Sequence, residues 1–267
     1  EKRGKMTDRF SEAMNCISEE NSLVKRIGGI HTLESIALES SKDHWRIIEI
    51  FSGYVRDFAP INSEKKEANR NSQKAKINSD IQQVMDAIGR RNGVYKINET
   101  RKIDLSNVNL EGVDLRSANL EGINFRGANL KGANLFKAHL KNADFTNANL
   151  DNSNLNYSDL TNTNFHNASI NDAQFRNSLL INTSFSMASI RNASFDECIL
   201  KKVKFPNSNL SNSTFEDSKL SWCLFFNTNL NSVNLAGALI EKPVGMMQSQ
   251  FNSTITNDKT KLIGELK

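Results

Sequence analysis

The chain has 267 residues, a length that admits two domains or one elongated array, and 34 Lys and Arg nearly balance 30 Asp and Glu to leave a net charge of +4. That balance gives no basic block for nucleic acid and no acidic tail, while no apolar run reaches the roughly 18 residues of a membrane span. Three scattered cysteines, Cys16, Cys198 and Cys223, without a CxxC pair, exclude a disulfide framework and a zinc knuckle and point to a reducing, cytoplasmic setting.

The chain opens EKRGKMTDRF, with neither an initiator Met nor a leader, and is expected to be a fragment of a longer protein. Residues 1–59 predict an α-helical bundle. In TDRFSEAMNCIS, Phe10, Ala13, Met14 and Ile17 share one helical face, with Thr7 as the N-cap. In NSLVKRIGGIHTLESIALES the matching face is Leu23, Ile27, Ile30, Leu33 and Ala37, and Gly28–Gly29 suits a helix-packing contact. SKDHWRIIEIFSGYVRDF supplies Trp45, Ile48, Phe51 and Val55 before Pro60 stops it. Residues 60–78 are charged and poor in large apolar side chains, so they read as a linker. SDIQQVMDAIGRR, within 79–100, predicts a helix with Ile81, Val84, Met85 and Ile88 on one side, placed to cap the repeats that begin near residue 101.

From Leu105 to Ile240 every fifth residue is Leu, Ile or Phe without a gap, which makes (240 − 105)/5 + 1 = 28 phrases. Two residues before each stands a small or β-branched residue such as Ala118, Ala128, Ser153, Thr163, Cys198 or Val203, and between them usually Asn or Asp. Neither the 3.6-residue period of a helix nor the 2-residue period of a strand fits. Two inward residues in five, followed by Gly, Asn or other polar residues, describe one short side and a corner.

The identities give the number of sides. Steps of 20 connect Phe125, Phe145, Phe165, Phe185, Phe205 and Phe225, and likewise Leu120, Leu140, Leu160, Leu180, Leu200, Leu220 and Ile240. Like stacks on like every four phrases, so residues 101–242 predict a square β-solenoid of 28/4 = 7 coils. At about 4.8 Å per coil the rod is roughly 34 Å long. A buried Leu or Phe contributes about 1.5–3 kcal/mol, while ordering each residue costs about 1–2 kcal/mol, so one phrase cannot fold alone and stacking must supply the rest.

The phrases ANLEG, ANLKG, ADFTN and ANLDN closely resemble the A(D/N)LxX phrase of the pentapeptide-repeat family. The resemblance implies a mainly β fold, a right-handed quadrilateral β-helix, with the N-terminal α-helical domain in front. KRIGGIHTLESIA is similar to an armadillo or HEAT helix. The wider segment through DHWRIIEIFSGYVR resembles a domain that precedes pentapeptide repeats in bacterial proteins. Those relatives commonly carry membrane-spanning segments upstream, which implies a membrane contact only through a segment missing from this chain and a place at the cytoplasmic face. Residues 243–267 abandon the register and are expected to cap the far end.

No enzyme motif stands out. His44 follows Asp43 without a nucleophile motif and reads as a helix-start residue; His139 and His166 read as surface residues, and Cys198 and Cys223 fill the small inward slot. Asp occupies the Asn slot only at Asp104, Asp114, Asp144 and Asp159, which suits corner hydrogen bonds to the backbone and not calcium. The expected cofactor list is empty. Some relatives protect DNA gyrase as DNA-like rods, but residues 101–242 carry 14 Lys or Arg against 13 Asp or Glu. A 34 Å imitation of B-DNA wants on the order of 20 negative charges. What remains is a scaffold that binds a protein partner of unknown identity or a second copy of itself, and no nucleic acid.

The candidate surface is apolar. Leu179, Ile181, Ile199, Trp222 and Leu239 point outward along the Leu180–Leu200 track, and Leu224 and Phe226 flank Phe225 on a neighbouring side. Either the chain covers this patch itself, most simply with Met246, Met247, Phe251 and Ile255 of the tail, or a partner or homodimer does.

Overall fold

The computed structural model describes residues 2–61, 77–91 and 102–266; most of the expected linker and the lead-in after residue 91 lie outside them. Helices α1 (Lys2–Ile17), α2 (Leu23–Glu39), α3 (Ser41–Phe58) and α4 (Ser79–Gly89) come first. Thr7 lies inside α1, not at its start, because the helix already runs from Lys2, well before the apolar face begins. Ser22 and Ser40 cap α2 and α3, their hydroxyls accepting from the amides of Lys25 and Asp43. The apolar stripes meet as expected: Ala13, Ile17, Ile30, Leu33, Ile48, Phe51, Val55, Ile81, Val84 and Ile88 are all buried. Leu23, by contrast, is exposed. Gly29 is where α1 crosses α2, since a Cβ there would meet Ile17 at 2.6 Å and the Ala13 carbonyl at 2.7 Å.

Helix α4 belongs to this bundle as well as to the solenoid. Asp80 at its start is buried and accepts from the Tyr54 hydroxyl of α3 and Arg26 Nε of α2, each at 2.8 Å. Burial works against the Asp80 charge, but these two donors and the Ile81 amide outweigh it and hold the carboxyl below its usual range.

Beyond residue 102 the backbone is a parallel solenoid. Isolated bridges link each phrase to the one 20 residues on, and one track runs from Asp104 through Asn124, Asp144, Asn164, Ser184, Lys204 and Leu224 to Val244. The N–H of Leu105 reaches the Asn124 carbonyl at 2.8 Å, and that of Asn124 returns to the Ile103 carbonyl at 2.9 Å, a pattern that recurs along the rod. Most corners close with a bond such as Val113 N–H to the Leu110 carbonyl at 3.1 Å. The third residue of each turn is left-handed, as type II turns require; its non-glycine occupants, chiefly Asn, have φ of 49–62°. The Asn or Asp before each large residue accepts from the amide two residues on, as Asp144 does from Thr146 at 3.0 Å. This is the corner role expected of those residues.

Inside, the phenylalanines stack. Centroids along Phe125–Phe145–Phe165–Phe185–Phe205–Phe225 are 4.9–5.5 Å apart. A second column, Phe175–Phe195–Phe215, steps by 4.6 and 4.7 Å and meets the first edge-on. Regular strands form on one side only: β1 (Leu179–Ile181), β2 (Ile199–Lys201), β3 (Lys219–Ser221) and β4 (Leu239–Glu241) pair in parallel, in register at 20-residue steps.

Both ends are covered, as unpaired strand edges require. At the first coil the Asn109 amide bonds the Ala59 carbonyl at the end of α3, Pro60 bridges Val108, Gln82 of α4 bonds both backbone groups of Asp114, and the Asn119 amide bonds the Gly89 carbonyl. At the far end α5 (Gln248–Asn252) precedes β5 (Lys261–Ile263), which pairs with β4 at a 22-residue offset, Leu239 opposite Lys261. Met246 plugs the last coil against Phe225, Leu235 and Ile240.

Candidate interaction surface

In coil terms each side presents one outward residue between two corners. On the side that carries β1–β4 that outward residue is Asn119, His139 and Asp159 in the early coils, then Leu179, Ile199, Lys219 and Leu239. The change from polar to mainly apolar happens at β1. Ile199 is 51% exposed, and Leu179 and Leu239 are half-buried. At the corner after this side, Ile181 is half-buried and Trp222 is 47% exposed with φ 58°, in a slot filled by Asn182 and Lys202 on the two preceding coils. A left-handed bulky residue costs about 1–2 kcal/mol relative to a relaxed backbone, so the fold alone does not favour Trp there. Lys242 Nζ lies 4.8 Å from the Trp222 ring centroid.

The seven candidate residues lie on two adjacent sides. Leu179, Ile181, Ile199, Trp222 and Leu239 share this side and its corner. Leu224 and Phe226 lie around the next side, where Leu224 bridges Lys204 and Val244, and the Phe226 ring occupies the space a Cβ on Gly245 would need, at 2.4 Å. The tail therefore touches Phe226 but leaves Ile199 and Trp222 open. It continues the rod along its axis instead of lying over its flank, because Met246 is drawn into the end of the core and the β4 edge demands a partner. Phe251 is half-buried at that end, while Met247 and Ile255 are exposed. Lateral covering by the tail is thus not the arrangement adopted.

Charge on this flank is sorted, which the sum of 14 against 13 conceals. The corner before the apolar side carries Asp196, Glu197, Glu216 and Asp217, with Arg176 on the β1 coil; the corner after it carries Lys201, Lys202 and Lys242 with Glu241, and Lys204 stands just beyond. Glu197 pairs with Arg176 at 2.7 Å, and Ser221 donates to Glu241 at 2.7 Å. Steps of 20 along the outward positions, as along the inward ones, reveal this sorting in the sequence.

The remaining candidates are structural. His44 is buried, its Nδ1 3.2 Å from the Ala37 carbonyl, and burial lowers its pKa. His139 is exposed, and His166 is half-buried at a corner. Burial pushes the thiols of Cys198 and Cys223 up to about 12, which removes them as nucleophiles at neutral pH. Among the described residues no group of three or more His, Cys, Asp and Glu is placed to hold a metal, and no helix is long and apolar enough to cross a membrane.

Four sides, five-residue phrases and a 20-residue stacking register define a quadrilateral β-solenoid. The repeats match two pentapeptide-repeat families: the one described as Pentapeptide repeats (8 copies) matches residues 103–142, and the one described as Pentapeptide repeat region matches 137–205. Among solved structures, the chain is similar to QnrB1, a plasmid-mediated fluoroquinolone resistance protein, at 18% identity over 58% of this chain and 84% of that one, with a TM-score of 0.32. It is similar to HetL, a pentapeptide repeat protein involved in heterocyst differentiation regulation from the cyanobacterium Nostoc, at 20% identity, 62% and 82% coverage and a TM-score of 0.35. A pentapeptide repeat protein from the Arabidopsis thaliana thylakoid lumen matches at 33% identity, 36% and 63% coverage and a TM-score of 0.28. No curated protein matches the sequence.

Proposed function

We propose that this chain is a non-enzymatic protein-interaction module that presents the β1–β4 side of its solenoid to a protein partner. The observation that carries the reading is the exposure of Ile199 and Trp222 on one flank of a rod whose equivalent outward positions are polar in the early coils. The core does not need them, since outward residues contribute nothing to the Phe and Leu stacks, and Trp222 occupies a backbone conformation that disfavours it. Water contact at such a patch is offset when a second surface buries it.

A photo-crosslinking residue placed at Ile199, and as a control at His139 on the same side three coils earlier, tests this in the cells that make the protein. Protein adducts are expected from position 199 and not from 139. Equal adducts at both, or none at 199, would remove the surface from consideration.

A further inference from the structure

We infer that the β1–β4 side binds a second copy of this chain, with the two rods parallel and the two-fold axis running along them. The inference rests on the interaction-surface reading above and adds the identity of the occupant and its orientation.

The argument is one of charge symmetry. The side has three lanes: a mainly acidic corner (Glu197 and Asp217, with Asp196 and Glu216, and Arg176 on the β1 coil), a central line that is apolar except for Lys219 (Leu179, Ile199 and Leu239) and a mainly basic corner (Lys201, Lys202 and Lys242, with Glu241). Two such sides placed face to face by a two-fold axis have two symmetric choices. An axis perpendicular to the rods sets acid on acid and base on base. An axis along the rods sets each acidic corner on the partner's basic corner, twice over, and keeps every coil opposite the same coil. Glu197 then stands at the level of Lys201 and Lys202 of the second copy, because both corners flank Ile199. Asp217 falls one coil from Lys202 and one from Lys242. The apolar line meets itself, Ile199 against Ile199, and Trp222 closes the rim.

None of Lys201, Lys202, Lys204 and Lys219 has an ion pair or hydrogen bond from its side chain within the chain among the described residues. Their charge is free for an outside partner. The opposing acids are available in part, because Glu197 already holds Arg176. Lys219 is the one like-charge contact on the axis, and it weakens the pairing. Four coils at about 4.8 Å give a face roughly 19 Å long, about 400 Å² per partner if it is equally wide, half of what a standard stable interface offers. Association is therefore expected in the micromolar range or weaker, and it should fall with salt.

Sedimentation velocity on the whole chain tests this with two charge-reversed forms. One carries Lys201→Glu with Lys202→Glu; the other carries Glu197→Lys with Asp217→Lys. Residues 197, 202 and 217 all have φ of 53–57° and already hold Glu, Lys and Asp, so the exchanged side chains suit the backbone. The wild type is expected to dimerise with rising concentration, and each reversed form alone to lose about tenfold or more in affinity. An equimolar mixture of the two should recover the dimer, because each altered corner then meets its opposite on the other chain. Lys219→Met should tighten the wild-type dimer. Unchanged melting temperatures for all forms exclude misfolding as the cause. A wild type that stays monomeric to about millimolar concentration, or two reversed forms that fail to rescue each other, overturns the inference. If adducts to a different protein at position 199 persist in that case, the interaction surface stands and only the second-copy occupant falls.

Discussion

The solenoid and the helical bundle are stabilised by opposite strategies. In the solenoid each Phe or Leu rests on its equivalent 20 residues away, so stability is the sum of many near-identical steps, none of them unique. In the bundle one buried carboxylate, Asp80, joins three helices through Tyr54 and Arg26. The repeated region can therefore vary its outward residues freely, and departures from the polar pattern there point to function. The bundle has no such freedom at its centre.

The chain holds two tryptophans, Trp45 in α3 and Trp222 on the solenoid, so each region has its own fluorescence reporter. Phe185→Ala should give the largest effect, a loss of about 3–5 kcal/mol, because it opens a void against Phe165 and Phe205 above and below and against Phe175 and Phe195 at the side. The loss should register at Trp222 in a denaturant titration. A change confined to the Trp45 signal would break the comparison.

Asp80→Asn comes next, at about 1–3 kcal/mol, since it keeps the volume of the side chain but leaves the Arg26 charge with a neutral partner. Its effect should appear at Trp45 first. The pH dependence comes from the depressed carboxyl: Asp80 stabilises the fold above the unfolded aspartate value of about 3.9, and that contribution is lost as pH falls through the lower folded value. The wild type should therefore lose bundle stability in acid, and Asp80→Asn should flatten that limb of the profile. An acid limb identical in the two would show that Asp80 is not the coupling group.

Trp222→Asn should have the smallest effect on folding and the opposite sign, a gain of about 1 kcal/mol or less, because Asn accepts a positive φ more readily. The same change should weaken association. A loss of stability would mean that the Trp222 ring and Lys242 contribute more to the rod than to any partner.

The repeats are legible in the sequence because identical interior residues recur at one spacing, and interior volume leaves little choice: Phe125 to Phe225 can be stacked by counting. The apolar faces of α1, α3 and α4 are legible for the same reason at a shorter period. The joints are not. Nothing in SDIQQVMDAIG announces that Gln82 will bond the backbone of Asp114, or that Pro60 will bridge Val108, because those contacts exist only once two differently built regions are apposed. Hydrophobicity alone misplaces the tail: it sends Met246, Met247, Phe251 and Ile255 to the flank, whereas the open end of the core and the edge of β4 make the stronger demand. Net charge hides the charged corners, because it averages away an arrangement in which Glu197 and Lys202 lie on opposite edges of one side.

Lysine footprinting is the most direct test of the claim that the β1–β4 side is where this rod meets another protein. An acylating reagent is applied to the protein in intact cells and to the purified chain at high dilution. Lys201, Lys202 and Lys219, all exposed, should lose reactivity in cells, while the exposed Lys131, Lys137 and Lys141 of the earlier coils react equally in both. Uniform reactivity along the rod in cells, or protection of the early lysines instead, would contradict the account.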